Sequence, residues 1–159
     1  MSQDGVKTVT CESPEATLAV ARAIAPQLHP GDTLLLVGDV GAGKTHFARG
    51  VIRSLLKTPE DIPSPTYTIV QTYDGTPGEI WHADLYRLTD ISELEELGLT
   101  QAFETAICLV EWPDRLGDIA PRDALTLTLT TGAEDDTRML EFRWSDPRWH
   151  SMLERVGHV

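Results

Sequence analysis

The chain has 159 residues, enough for one domain, residues 1–159, with a substantial hydrophobic core. Its 13 Lys and Arg stand against 25 Asp and Glu, a formal net charge of −12 without any basic run, which argues against direct binding to a nucleic-acid backbone. Two cysteines are too few for a disulfide framework or a metal site, and the lack of a signal sequence or long apolar stretch predicts a cytoplasmic protein without membrane contact.

One strand and one helix are predicted before the central motif. Residues 6–11 alternate weakly between polar and apolar side chains, as in an edge strand. Ser13 is then a hydroxyl cap, Pro14 the first helical position and Glu15 an acid in the first turn, a combination typical of a helix start. Apolar residues at helical spacing continue this helix until the sequence His-Pro-Gly-Asp at 29–32 ends it.

A glycine-rich loop between an apolar strand and an amphipathic helix organises the chain. Residues 34–37 are the strand, residues 38–45 read Gly-Asp-Val-Gly-Ala-Gly-Lys-Thr, and the helix continues to residue 56. Glycines let the backbone approach an oxyanion with successive N–H groups pointing inward, and the helix N-terminus adds unpaired N–H groups and a positive dipole end. This pattern is typical of a phosphate-binding loop and predicts nucleotide binding.

Two side chains of this loop have predicted parts in the chemistry. Lys44 places a positive charge between the β- and γ-phosphates of a nucleoside triphosphate, which makes it a catalytic candidate. The Thr45 hydroxyl can bind the Mg²⁺ ion that bridges those phosphates. The predicted nucleotide-binding residues of the loop are Gly38, Asp39, Val40, Gly41, Ala42, Gly43, Lys44 and Thr45.

Strands, turns and short helices are predicted for the rest of the chain. Three prolines keep residues 58–67 out of helix and sheet. Strands are predicted at 68–73, 79–83, 107–110, 124–131 and 138–144, and helical segments at 92–98, 101–105 and from residue 146 onward. The run Ile-Cys-Leu-Val at 107–110 is typical of a parallel strand covered on both faces, with Cys108 as a small buried hydrophobe. The order predicts an α/β fold, a three-layer P-loop NTPase-like sandwich with a mixed parallel and antiparallel sheet.

Two acidic residues follow predicted strands and are candidates for the Mg²⁺ site. A phosphate-binding loop needs an acid at the end of a neighbouring strand for this purpose. Glu111 follows the more apolar strand and is the first choice as metal ligand, whereas Asp84 is assigned an indirect or water-orienting role. The alternative for either residue is a solvated acid at a strand end.

Thr66 lies in the proline-stiffened segment downstream of Thr45. A hydroxyl placed there can reach the γ-phosphate and its Mg²⁺ ion and order the segment only while the triphosphate is intact, so Thr66 is the predicted switch residue, with a plain loop as the alternative. Arg87 either neutralises transition-state charge or is structural, and His82 is predicted to be structural. Trp112 either packs in the core or meets a partner.

Five short stretches occur together in one order. They are GDVGAGKT at 38–45, SPTYT at 64–68, HADLYRL at 82–88, EELG at 95–98 and LVEWP at 109–113. Together they resemble the TsaE (YjeE) family of bacterial ATPases, and the likeness runs from about residue 13 to residue 140. The resemblance implies a small P-loop ATPase, using ATP and Mg²⁺, that is needed for the threonylcarbamoyl modification of adenosine 37 in tRNAs reading ANN codons. It also implies TsaB and TsaD as partner proteins, through which alone the chain would meet tRNA.

Carried over position by position, the family pattern assigns roles to residues already singled out. These are the ATP loop at 38–45, the magnesium ligands Thr45 and Glu111, the switch residue Thr66 and the hydrolysis residue Asp84. The pattern adds Arg138, which matches a frequent family arginine near the nucleotide. One departure is His46, where the family commonly has a second hydroxyl residue able to touch the α-phosphate; an imidazole can still donate a hydrogen bond there.

Three other functions are compatible with a phosphate-binding loop. A small-molecule kinase would need an arginine-rich lid and an acceptor pocket, and the residues after Glu111 form neither in an obvious way. A GTPase switch would need Asn-Lys-x-Asp to bind guanine, which the sequence lacks. A nucleotide-gated binding module that never turns over stays open, because no residue by itself demonstrates a positioned water.

Overall fold

The computed structural model describes residues 4–156. Its strands are β1 (Gly5–Cys11), β2 (Thr33–Val37), β3 (Val70–Asp74), β4 (Glu79–Asp84), β5 (Ile107–Glu111), β6 (Leu125–Thr131) and β7 (Arg138–Trp144). Its α-helices are α1 (Pro14–Ile24), α2 (Lys44–Leu55), α3 (Ser92–Leu97), α4 (Leu99–Thr105) and α5 (Arg148–Val156), and 3₁₀ segments occupy Ala25–Gln27 and Pro113–Ile119. None of the helices within residues 4–156 has the length and apolar character to cross a membrane.

The strands form one seven-stranded sheet in the order β1-β7-β6-β2-β5-β4-β3. The neighbours β6, β2, β5 and β4 are parallel, whereas β7 and β1 on one side and β3 on the other pair antiparallel. Every residue of β5 is buried, as expected of a strand covered on both faces, and β1 alternates as expected of an edge strand. The predicted mixed sheet and the terminal β6–β7 hairpin are confirmed.

Two hydrophobic cores lie on opposite faces of the sheet. In β2, Leu34 and Leu36 belong to the core that packs against α1, α2 and α5, whereas Leu35 packs against the core formed with α3 and α4. This division follows from the alternation of side chains along a strand. Cys108 is buried in the second core, as predicted. The predicted three-layer sandwich is therefore confirmed.

Helices α1 and α2 approach closely at Gly50, and this contact fixes α2 behind the glycine-rich loop. A Cβ atom at Gly50 would lie 2.8 Å from Cδ2 of Leu18 and 3.0 Å from Cβ of Ala21, closer than packed side chains tolerate.

The predicted start of α1 is confirmed, because the Ser13 hydroxyl accepts a hydrogen bond of 3.1 Å from the N–H of Ala16.

One strand and two helices differ from the prediction. The first helix, predicted to continue until residues 29–32, ends at Ile24 and is followed by the 3₁₀ segment Ala25–Gln27, because Pro26 has no N–H group to continue the α-helical hydrogen bonds. The strand predicted at 68–73 begins late, at β3, because Ile69 takes a φ of 69°, which interrupts the extended backbone. The single helical turn predicted at 101–105 is the longer helix α4. Gly98, with a φ of 88°, separates it from α3 and caps both helices.

Candidate nucleotide-binding site

Residues 38–45 connect β2 to α2 at the carboxyl edge of the parallel strands. Gly41 and Gly43 have φ angles of 83° and 105°, in the left-handed region where glycine is favoured. Gly38 is required for space, because a Cβ atom there would lie 2.7 Å from the carbonyl oxygen of Leu129 in β6. The loop is thus held against the neighbouring strand, with the N-terminus of α2 directly behind it.

Lys44 is buried, and its side chain folds back over its own loop. Its Nζ donates to the carbonyl oxygens of Gly38 and Asp39 and lies 3.7 Å from the centroid of the Trp112 ring. Burial lowers the pKa of Lys44, and nearby carboxylates, Glu111 foremost, oppose that shift. The ammonium group is therefore held beside the loop by two uncharged carbonyl oxygens and an aromatic face. A bound anion can replace them, because it attracts the ammonium charge more strongly.

Asp84 and Glu111 come together at the ends of two parallel strands. Each predicted strand extends by one residue, so Asp84 is the last residue of β4 and Glu111 the last of β5, and the two are direct partners in the strand register. Their exposed fractions are 6% and 2%. The alternative of a solvated acid is therefore wrong for both residues.

Both carboxylate oxygens of Glu111 accept hydrogen bonds. The Thr45 hydroxyl donates to Oε1 over 2.8 Å, and Nε2 of His82 lies 2.7 Å from Oε2. His82 is predicted to be structural, and its contact with Glu111 is a feature that the sequence analysis missed. The available signal is the spacing of His82 and Asp84, which places their side chains on the same face of β4.

The carboxylate of Asp84 contacts the proline-stiffened segment. Its Oδ1 accepts from the N–H of Tyr86 over 3.0 Å, and its Oδ2 accepts from the Thr66 hydroxyl over 3.4 Å. The Thr66 hydroxyl also lies 2.7 Å from Oγ of Ser64. Thr66 is therefore brought to Asp84, the acid for which the sequence predicts an indirect or water-orienting role.

Trp112 takes a left-handed backbone conformation, φ 59° and ψ 53°, which is strained for a bulky side chain. This conformation turns the chain from β5 into the 3₁₀ segment Pro113–Ile119, which the sequence does not predict. The half-buried Trp112 ring lies beneath the Lys44 ammonium group, and its centroid is 5.0 Å from that of Tyr86. Trp112 therefore forms a wall of the site.

Arg87 lies outside this arrangement. Its guanidinium group is 4.7 Å from the centroid of the Tyr67 ring, which is 82% exposed. The side chains that line the cleft around Lys44 do not include Arg87. In this conformation the Arg87 guanidinium group stacks on an aromatic face at the surface. To neutralise charge in the transition state, the side chain of Arg87 would have to move into the cleft.

Two of the three clefts that border the loop share Gly41, Gly43 and His46. The first, about 390 Å³, is lined on its polar side by Lys44, Thr45, Thr66, Asp84 and Glu111. The second, about 260 Å³, is lined by Pro14, Thr17, Asp136 and Arg138 and shares Gly41, Gly43 and His46 with the first.

Two side chains fix the shared boundary between the clefts. The Nε–H group of Arg138 donates to the carbonyl oxygen of Ala42 over 3.2 Å. Nε2 of His46 lies 3.2 Å from the carbonyl oxygen of Pro14. The structure thus brings the two residues to the same side of the loop, with the imidazole bonded to the start of α1.

The oxygen donors at this site fit a magnesium ion. Among residues 4–156 no group of three or more His, Cys, Asp or Glu side chains could hold a metal by itself. Mg²⁺ at nucleotide sites takes only one or two protein oxygens, because phosphates and water supply the others. The Thr45 hydroxyl and the Glu111 carboxylate, 2.8 Å apart at the N-terminus of α2, are two such oxygens.

A strand, a glycine-rich loop and a helix, with acids at the ends of neighbouring parallel strands, define a P-loop α/β protein. Within that class, the family model for Threonylcarbamoyl adenosine biosynthesis protein TsaE matches residues 11–140. The chain belongs to the TsaE family, a family of tRNA threonylcarbamoyladenosine biosynthesis.

Relatives of this family are similar over most of their length. The tRNA threonylcarbamoyladenosine biosynthesis protein TsaE of Bacillus subtilis is 37% identical over 146 residues, which cover 91% of this chain and 90% of that protein. The protein of the same name from Rickettsia bellii is 37% identical over 127 residues, 80% of this chain and 88% of that protein. The crystal structure of Bacillus subtilis YdiB matches with a TM-score of 0.80 and 30% identity, covering 98% and 96% of the two chains. The family resemblance found in the sequence is confirmed.

Proposed function

We propose that the chain is a Mg²⁺-dependent ATPase of tRNA threonylcarbamoyladenosine biosynthesis, in which a single domain, residues 1–159, hydrolyses ATP to ADP and phosphate. The energy of hydrolysis drives or resets a TsaB–TsaD complex that modifies adenosine 37 of tRNAs reading ANN codons. The reaction takes place in the cytoplasm, where ATP and tRNA occur together.

The convergence of four side chains in one cleft carries this proposal. Lys44 and Thr45 come from the loop, and Asp84 and Glu111 come from the ends of two strands. Phosphoryl transfer depends on positioning and on neutralising charge rather than on covalent chemistry by the protein. The loop N–H groups and Lys44 bind the β- and γ-phosphates, and Thr45 with Glu111 holds Mg²⁺, which supplies further charge neutralisation when bound.

Asp84 is assigned to the attacking water. Hydrolysis needs a water molecule in line with the bond from the γ-phosphorus to the bridging oxygen of the β-phosphate. The water oxygen bonds to phosphorus while that bridging bond breaks, ADP leaves with the electron pair, and the protons of the water pass to the released phosphate and to solvent. Within residues 4–156, Asp84 Oδ2 has only a long hydrogen bond, 3.4 Å, to Thr66, so it is suited to orient water beside the γ-phosphate.

The second cleft gives the nucleoside a place. It shares Gly41, Gly43 and His46 with the first, so a nucleotide whose phosphates lie over the loop can extend into it. There the ribose and adenine face the carboxylate of Asp136 and the guanidinium group of Arg138. This placement also puts His46 beside the α-phosphate.

The charge of the chain is relevant to its partners. A formal net charge of −12 opposes direct contact with tRNA and favours docking on basic protein surfaces. The chain therefore acts on tRNA only through TsaB and TsaD.

Phosphate release from the purified chain, alone and with TsaB and TsaD, tests the function. We expect slow Mg²⁺-dependent release that the partners accelerate and that Lys44→Ala removes. Nucleotide binding without any phosphate release, even with both partners, would instead identify a nucleotide-gated binding module. Consumption of ATP with transfer of phosphate to a small molecule would identify a kinase.

A further inference from the structure

His82 lies beneath the proposed metal site and is fully buried. It is in β4, directly opposite Leu109 in β5, and its side chain is on the same face of the sheet as Asp84 and Glu111. Glu111 is therefore its diagonal neighbour across the strand pair, within reach of a ring side chain. The sequence predicts only a structural role for this histidine.

The ring of His82 makes one hydrogen bond, to the metal-site carboxylate. Nε2 lies 2.7 Å from Oε2 of Glu111, and since a carboxylate oxygen is an acceptor, Nε2 is the donor. Nδ1 is buried and has no hydrogen-bond partner within residues 4–156. The contact with Glu111 is thus the only hydrogen bond that orients this ring within the described part of the chain.

Within residues 4–156, the two hydrogen bonds to the Glu111 carboxylate come from different elements of the fold. The Thr45 hydroxyl reaches Oε1 from the N-terminus of α2, and His82 reaches Oε2 from within the sheet. A buried carboxylate is costly unless its oxygens are paired. The bond from His82 engages the inner oxygen, which leaves Oε1 as the oxygen turned towards Thr45 and the phosphate-binding loop.

We propose that His82 is a positioning residue for Mg²⁺ binding: its Nε2–H group holds the Glu111 carboxylate with Oε1 facing Thr45. This inference rests on the proposed function, because it assigns His82 a part in the same site. Groups that orient a metal-binding side chain typically change metal affinity by about 10–100-fold when they are replaced.

Two amide variants of the full-length chain separate this role from a merely structural one. In His82→Gln the amide nitrogen reaches about the position of Nε2, whereas His82→Asn carries the same amide on a shorter side chain that cannot reach Glu111. ADP affinity is measured by calorimetry in EDTA and at increasing Mg²⁺ concentrations. In EDTA we expect His82→Asn to bind ADP as tightly as the wild type does. His82→Asn should need about 10–100-fold more Mg²⁺ than the wild type to reach the same change in ADP affinity, whereas His82→Gln should need the same Mg²⁺ concentration as the wild type.

Two further proteins complete the test: the double variant with Glu111→Ala, and His82→Met in case His82→Asn does not fold. In a Glu111→Ala chain, His82→Asn should cause no further change in Mg²⁺ dependence, because the group through which it acts is gone. If His82→Asn does not fold, as judged by circular dichroism, His82→Met fills a similar volume without a donor and replaces it. An unchanged Mg²⁺ dependence, or an equal loss of affinity in EDTA and in Mg²⁺, would overturn the role of His82. A wild-type chain that binds no ADP would instead contradict the proposed function.

Discussion

Asp84 and Glu111 are direct partners across the β4–β5 strand pair, two buried carboxylates on one face of the sheet at its carboxyl edge. Like charges so close are unfavourable unless opposite charge or hydrogen-bond donors compensate them. Here the ammonium group of Lys44, the hydroxyl of Thr45 and the ring of His82 provide part of that compensation. A divalent cation would supply the rest, and this is the physical basis of the proposed Mg²⁺ dependence.

Glu111→Ala removes the proposed metal carboxylate. We expect Mg²⁺-dependent ATP turnover to fall by about 100-fold or more, whereas ADP binding in EDTA is retained. The matched control is Asp114→Ala, because Asp114 is also an acid near Lys44 but has an exposed side chain. Equal phosphate release by Glu111→Ala and Asp114→Ala would show that Glu111 is not the metal ligand.

Thr66→Ala tests the switch. The variant should bind ADP like the wild type but bind a non-hydrolysable ATP analogue about 10-fold more weakly, since a hydrogen bond to a charged group contributes about 1.5–3 kcal/mol. Ser64→Ala is the control, because Ser64 hydrogen-bonds to Thr66 and lines the same cleft but has no hydrogen bond to Asp84. Calorimetric titrations with both nucleotides check this. Equal losses for ADP and the analogue would remove the switch role.

Arg138→Ala removes the side chain that ties the loop to β7. Its guanidinium group donates to Ala42 and lines the second cleft, so we expect ADP affinity to fall about 10-fold, the effect of about 1.4 kcal/mol. Arg143→Ala, on the same strand, removes an arginine that pairs with Glu141 and should leave ADP affinity unchanged. Competition against a fluorescent ADP measures both variants, and similar affinities for the two would contradict the assignment.

Because the Cys108 thiol is buried, we expect the free energy of unfolding to fall at alkaline pH. Burial raises the pKa of this thiol from 9.0 to about 12 in the folded protein. Above pH 9 the unfolded chain therefore loses a proton that the folded chain keeps, so stability falls as pH rises, by about 2 kcal/mol between pH 9 and pH 10.5. Urea unfolding of wild type and Cys108→Ala at these two pH values measures the difference, since other titrating groups are common to both proteins. The same pH-dependent loss in both would show that the thiol does not contribute.

Local sequence defines the loop and the strand-end acids. The glycines of residues 38–45, the apolar strand before them and the helix after them are contiguous, so their spacing alone predicts the local structure. Asp84 and Glu111 each follow an apolar run and can be placed at a carboxyl edge in the same way. The strand order β2-β5-β4, which makes them neighbours, is a tertiary property that hydrophobic periodicity does not contain.

Three features depend on tertiary contacts that the sequence does not specify. The bond between His82 and Glu111 requires the register of β4 and β5 as well as the ring orientation. The positive φ angles of Ile69 and Trp112 run against the preference of large and β-branched residues, so propensity alone predicts extended backbone there. Both residues lie next to segments that line or support the cleft around Lys44, where tertiary contacts override local preference.

A crystal structure with Mg²⁺ and a non-hydrolysable ATP analogue is the most direct test of the account. It should show the β-phosphate within the N–H groups of residues 41–45, the Lys44 ammonium group moved from Trp112 onto the phosphates, and the metal bound by the oxygens of Thr45 and Glu111. A nucleotide bound elsewhere on the chain, or a loop whose N–H groups point away from the phosphates, would contradict it.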